Sequence, residues 1–299
     1  MNLYTHAESN TRKTWFYLAG FFVLVILVGW VFSYALGSSA ILWVAVAVSV
    51  LMSWTSYWYS DKIILTINKA KPVEKQDNPE LYRIVENLSI TAGLPVPKIY
   101  IIQDSQPNAF ATGRDAKHAV VAVTAGLLSK LDRVELEGVL AHELSHIGNK
   151  DMLISAIVVV LVGLVALASD FFFRITFFGG MGQRDERRGS HPIFLILALA
   201  AAIMAPLCAQ LVRLAISRKR ELLADATGAL LTRYPEGLAR ALEKISQDPS
   251  PMRSANDATA HLYIASPFRG KEQRSWLHKL FMTHPPLQER VAALRGLHI

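Results

Sequence analysis

Cysteine is almost missing: the 299 residues hold one, Cys208, inside an apolar run. No disulfide can form within the chain, a cysteine-built metal site is excluded, and a reducing, cytosolic setting suits the polar parts. Charge is missing over one long stretch. No Asp, Glu, Lys or Arg occurs between Thr14 and Ser60, a length that suits two membrane-spanning helices of about 20 residues each rather than one. The Gly37-Ser38-Ser39 break divides it into a hairpin. A cleaved signal peptide fits poorly, because the run is too long and no clear small-residue cleavage site follows. There is no internal repeat and no low-complexity tract.

What is present is apolar. A hydrophobic content of 52% and a mean hydropathy of +0.28 are too high for an ordinary soluble enzyme and read as a membrane protein. The net charge of +7 comes from basic residues gathered beside the apolar segments. The positive-inside rule explains them better than a nucleic-acid partner does, and none is expected. Arg12 and Lys13 before the hairpin and Lys62 after it place both of its ends in the cytoplasm. Trp15 and Tyr17, with Trp54, Tyr57, Trp58 and Tyr59, form an aromatic belt at that interface.

Four segments follow: a transmembrane hairpin over 1–60, a first catalytic part over 61–151, two further spans over 152–213, and a second catalytic part over 214–299. Within the first catalytic part, Ile63 to Ile67, Ile99 to Ile102 and His118 to Val123 are strand candidates. Asn78-Pro79 opens an amphipathic helix ending near Gly93, and a polar loop surrounds Asn108. Such a small sheet offers an edge that pairs with an extended peptide through main-chain bonds. The later apolar runs are Met152 to Ala168 and Pro192 to Val212, the latter kinked at Pro206; buried core helices are their alternative. Arg184, Arg187 and Arg188 in the connecting segment argue against placing it outside the cell.

The chemistry centres on Ala141-His142-Glu143-Leu144-Ser145-His146. Two histidines four apart on a helix share a face and can converge on one metal ion, with Glu143 as general base for a water and one coordination position left open. Asp132 and Glu135 can form a capping box, and Gly148-Asn149 offers a stop. Leu136, Leu140, Leu144 and Ile147 make an apolar face, while Val139, His142, Glu143 and His146 fall on another. Beyond the Arg218-Lys219-Arg220 anchor, Glu221 and Asp225 are again four apart. Glu221 can serve as third ligand while Asp225 orients a ligand imidazole; a solvated acidic pair bridged to the basic cluster is the other reading.

Together with Asn108-Ala109-Phe110-Ala111-Thr112-Gly113, Asn149-Lys150-Asp151, and Thr283-His284-Pro285-Pro286 with Arg290, these residues make nearly the whole chain resemble the HtpX-like membrane zinc metalloproteases. That family also includes the CAAX prenyl endopeptidases. The resemblance implies a zincin-like, mainly α membrane protein with a small β-sheet and about four transmembrane helices. It implies one zinc ion on His142, His146 and Glu221, Glu143 as base, Asn108 by the substrate strand, and His284 and Arg290 near the active site. His284 or Arg290 could then stabilise an oxyanion; a capping histidine and a surface arginine are the alternatives. The implied substrates are misfolded or surplus proteins of a prokaryotic cytoplasmic membrane, cut on the cytoplasmic side, where both termini lie. A prenyl-protein endopeptidase and a non-catalytic metal-binding scaffold are the competing functions.

Overall fold

In a computed structural model, the described residues are 39–158, 218–253, 259–267 and 285–297, with isolated positions between 12 and 34. Those isolated positions are helical, and helix α1 (Ala40–Ile67) follows Ser39. Trp15 stacks on Tyr57 with ring centroids 5.8 Å apart, so the start of the first apolar run meets the end of the second. Trp43, Val44 and Leu51 of α1 are largely exposed. Among the described residues no helix is long and apolar enough to cross a membrane. Of the third apolar run, residues 152–158 are helical; the rest of it and the whole of the fourth lie outside the described residues.

The strand expected over Ile63 to Ile67 is instead the last part of α1. Its β-branched residues favour a strand in isolation, but helical spacing buries Ile64 and Leu65 together and leaves Thr66 and Ile67 exposed. The Asn68 amide donates back to the Ile64 carbonyl (2.8 Å) and Lys69 turns the chain in the left-handed region, which ends the helix.

A four-stranded mixed sheet follows, built from β1 (Lys71–Pro72), β2 (Lys98–Ile102), β3 (Ala109–Thr112) and β4 (Val120–Thr124) in the order β1-β2-β4-β3. β2 and β4 run parallel, and β3 lies antiparallel at the edge, with Phe110 opposite Ala122. β3 occupies part of what the sequence suggested was loop. Its start is fixed by Thr124, whose hydroxyl accepts from Asn108 N–H (2.9 Å) and donates to the Gln106 carbonyl (2.6 Å). Helix α2 (Pro79–Ala92) lies between β1 and β2, capped by Asn78 at one end and by Gly93, at φ 65°, at the other. Its Leu81, Ile84, Val85 and Leu88 are buried.

After the short helix α3 (Ala125–Lys130) comes α4 (Arg133–Gly148), the helix of the two histidines. Both halves of its capping box form, since Asp132 accepts from Glu135 N–H and Glu135 from Asp132 N–H, each at 2.9 Å. The face that carries the chemistry is also packed: His142, Glu143 and Ser145 are as buried as Leu140 and Leu144, and His146 is half-buried. Helices α5 (Arg218–Thr232) and α6 (Pro235–Gln247), together with α2 and β3, surround α4. Helix α7 (Leu287–Arg295) packs behind α5 and α6. A second apolar cluster on the far face of the sheet joins Ile64, Ile102, Phe110 and Tyr263. Through it the foot of α1 meets the 259–267 segment, where Tyr263 donates to the Asn68 side chain at 2.7 Å.

Candidate metal centre

One helical turn separates His142 from His146, and their Nε2 atoms face each other at 3.2 Å. Glu221, in the first turn of α5, brings Oε2 to 3.9 Å from His142 Nε2 and Oε1 to 3.6 Å from His146 Nε2. The three ligand atoms all lie within 4.8 Å of one another. Donors about 2.0–2.1 Å from a tetrahedral ion sit roughly 3.3 Å apart, so two imidazoles and a carboxylate at these spacings fit a zinc-like cation. α5 comes this close because of Gly228. A Cβ there would lie 2.9 Å from the His142 backbone nitrogen, so helix backbone touches helix backbone. Glu221, Asp225 and Gly228 recur at helical spacing on the face of α5 turned to α4.

Each imidazole is backed by a carboxylate, and each carboxylate by an arginine. His142 Nδ1 lies 2.9 Å from Asp225 Oδ1, which turns its Nε2 toward Glu221. Arg290 grips Asp225 through two charge-assisted bonds, Nε to Oδ2 at 2.8 Å and Nη2 to Oδ1 at 2.6 Å. On the other side His146 Nδ1 meets Asp151 Oδ2 at 3.0 Å, with Arg220 at 3.8 Å from the same carboxylate. The helix end builds this second pair. Lys150, at φ 57°, lets Asp151 N–H reach the His146 carbonyl and Lys150 N–H the Ile147 carbonyl, a Schellman turn that folds Asp151 back under the histidine.

These contacts set the charges. Burial opposes ionisation of Asp225, but Arg290 and His142 outweigh it and hold the carboxyl at about 2. Burial pushes His146 down, yet the carboxylates of Asp151 and Glu221 raise it to about 9 in the metal-free protein. Burial lowers His142, and Asp225 only partly restores it. Glu143 is pushed up to about 7, chiefly by burial, with Glu221 adding to the rise; His146 and the Ala111 N–H pull the other way. A carboxyl poised near neutrality, beside three potential ligands, suits proton transfer.

Glu143, His146 and Glu221 line a small pocket with Ala111, Asp151, Arg220 and His261. Ala111 belongs to the edge strand β3, so the sheet edge reaches the pocket. Asn108 sits one residue before that strand, fully buried, its amide bonded to the Ala265 carbonyl (2.9 Å) and its oxygen taking Ala109 and Ala265 N–H. Those bonds commit it to ordering the strand. Arg290 is not a surface residue: it is buried, and its third bond goes to the Ile264 carbonyl at 3.1 Å. His284 lies outside the described residues.

A family description, Peptidase family M48, matches residues 75–298. The chain belongs to peptidase family M48. It is a metalloprotease, and its relatives agree: "Protease HtpX homolog" of Thermoanaerobacter pseudethanolicus is 45% identical over 302 residues, covering 99% of this chain and 98% of the relative. The protein of the same description from Thermococcus sibiricus is 47% identical over 267 residues, covering 88% and 89%. Among solved structures, S. mikatae Ste24p is similar in fold to this chain at a TM-score of 0.51 and 20% identity; the match covers 98% of this chain and spans 66% of that one.

Sequence reasoning missed three contributors to this M48 site. Gly228 is visible as a glycine inside a helical pattern, seven residues after Glu221, which signals close packing. Asp151 is named within the Asn149-Lys150-Asp151 motif just past the helix stop, but carries no assigned role there. His261 carries no local signal, because a loop more than a hundred residues away brings it to the pocket.

Proposed function

We propose that this M48 metalloprotease is an integral-membrane zinc endopeptidase that cuts misfolded or surplus membrane proteins on the cytoplasmic side of a prokaryotic membrane. The observation that carries the reading is the triangle of His142 Nε2, His146 Nε2 and a Glu221 oxygen with buried Glu143 beside it. A zinc ion held there would polarise the scissile carbonyl and acidify a water. Glu143 takes the proton of the attacking water and returns it to the departing amine nitrogen. On the β3 edge the Ile264 N–H donates to the Ala109 carbonyl and Glu143 accepts from the Ala111 N–H, which leaves the Ala111 carbonyl to an extended substrate and gives affinity without a sequence rule. Arg290 acts through Asp225: it holds the carboxylate that orients His142 and stands 3.9 Å from Glu221. The membrane reading is supported by the charge-free stretch from Thr14 to Ser60 and by the exposed apolar side chains of α1.

A prenyl-protein endopeptidase is less well supported, since the extensive matches are to proteins described as protease HtpX homologs. A metal-binding scaffold has no use for Glu143. Metal analysis and cleavage of a model membrane protein by the detergent-solubilised chain test the assignment. Glu143→Gln should keep its metal and lose about two to four orders of magnitude in rate. Glu221→Ala should lose metal and activity together, and full zinc occupancy in that variant would remove Glu221 from the ligand set.

A further inference from the structure

Away from the metal centre, the turn after β3 reaches the aromatic end of the hairpin. The Arg114 guanidinium lies over the Trp58 ring, 4.4 Å from its centroid. It is held there by Asp115 Oδ2, 3.4 Å from Nε, and by His118 Nε2, 2.7 Å from Nη2. His118 is fixed in turn by Nδ1 to Asp115 Oδ1 at 2.7 Å. Among the described residues nothing takes the guanidinium's Nη1. Lys117, in the same turn, is exposed and has no described ion-pair partner, and Lys62 lies over the Tyr59 ring at 5.2 Å.

Trp58 has a second role. With Trp15, Phe22, Trp54 and Tyr57 it walls an apolar groove of about 610 Å³ between the two apolar runs. A long apolar slot and a pre-positioned cation thus share one indole ring. Aromatic rings of this kind sit at headgroup depth in a bilayer, and basic groups beside them attract anionic lipid.

We propose that this groove and the Arg114–Lys117 turn hold one anionic phospholipid, its acyl chain along Trp54 and Trp58 and its phosphate on Arg114 Nη1 and Lys117. The charge complementarity commits the occupant: a zwitterionic lipid brings its own cation, whereas Arg114 is stacked, directional and already oriented by two partners. Bound there, the lipid would clamp the β3–β4 turn, and with it the substrate edge of β3, against the membrane surface. The proposal rests on the membrane reading above.

The full chain, reconstituted in bilayers of mixed phosphatidylglycerol and phosphatidylcholine, decides it through spin-labelled lipid. The fraction of motionally restricted label should favour phosphatidylglycerol, roughly fivefold from Lys117 and by less from Arg114, whose charge is shared with Asp115. Arg114→Gln with Lys117→Gln should cut the preference severalfold, to the level set by the other basic anchors, while zinc content stays unchanged, since neither residue touches the metal site. Arg12→Gln with Lys13→Gln should leave the site's share in place, with zinc content again unchanged. Equal restriction of both lipids by the unaltered chain, or a preference undiminished by the Arg114 and Lys117 substitutions, overturns the lipid site. A chain that is extracted from the bilayers by alkaline carbonate overturns the membrane reading itself, which separates the two failures.

Discussion

Gly228 meets the backbone of His142: a single added carbon would stand 2.9 Å from the histidine's nitrogen and 3.1 Å from its Cα. Backbone cannot swing aside as a side chain can, so Gly228→Ala must separate α5 from α4. Overpacking of this kind costs about 1–3 kcal/mol. The larger effect falls on the metal centre, because Glu221 and Asp225 move with α5. Zinc affinity, measured against a competing chelator, should fall at least tenfold, and Gly228→Val should fall further.

Asp151 governs how the centre takes up metal. With His146 raised to about 9 in the metal-free protein, the imidazole is protonated at neutral pH and must lose its proton to become a ligand. Metal binding near pH 7 should therefore release a proton, and apparent affinity should climb with pH toward 9. Calorimetry in buffers of different ionisation enthalpy reads both. Asp151→Asn should move that climb to lower pH, and loss of the orienting carboxylate should weaken binding by about 10- to 100-fold.

Arg290 sets the acid limit of the metal-free protein. Asp225 has a folded value of about 2, below its ordinary 3.8. Its contribution to stability is therefore present above the unfolded value and is lost as pH falls through the folded one. Arg290→Gln leaves the carboxylate buried beside His142 without its main partner, at a cost of about 3–5 kcal/mol, and the acid unfolding midpoint should rise. Arg290→Gln combined with Asp225→Asn should cost less than the two single changes added together, because no charge is left alone. An unchanged acid midpoint in Arg290→Gln would deny the coupling.

The metal centre constrains the proposed membrane topology. Glu221 and the two histidines must share one side of the bilayer, so the chain between Asp151 and Arg218 crosses it an even number of times or not at all. In a Cys208→Ser background, a cysteine replacing Gln76 should resist an impermeant reagent applied outside, and one replacing Gln183 should react. Labelling at Gln76 with protection at Gln183 inverts the orientation; like behaviour of the two, both labelled or both protected, means that the later apolar runs do not cross.

Much of the centre was legible in the chain because its parts are local. A helix repeats every 3.6 residues, so His142 and His146, or Glu221 and Asp225, face one way wherever the helix is placed. The capping box at Asp132 and Glu135 and the Asn78-Pro79 start are likewise short-range chemistry, and the structure contains both. The strand expected at Ile63 to Ile67 failed for the complementary reason. Propensity there was overruled by the helix running into it and by burial against the sheet.

Sequence alone determined which side chains could act together on one element: the paired histidines, the adjacent base, the spaced acids, and the apolar stretches beside basic anchors. Tertiary structure decided which elements meet. It brought α5 onto α4 through Gly228, aimed Asp225 at His142, buried Arg290 behind it, and set Ala111 of the edge strand beside Glu143. The reason is one of range. Periodicity and capping act within a few residues, whereas a carboxylate brought to a histidine some eighty residues away depends on how whole helices pack.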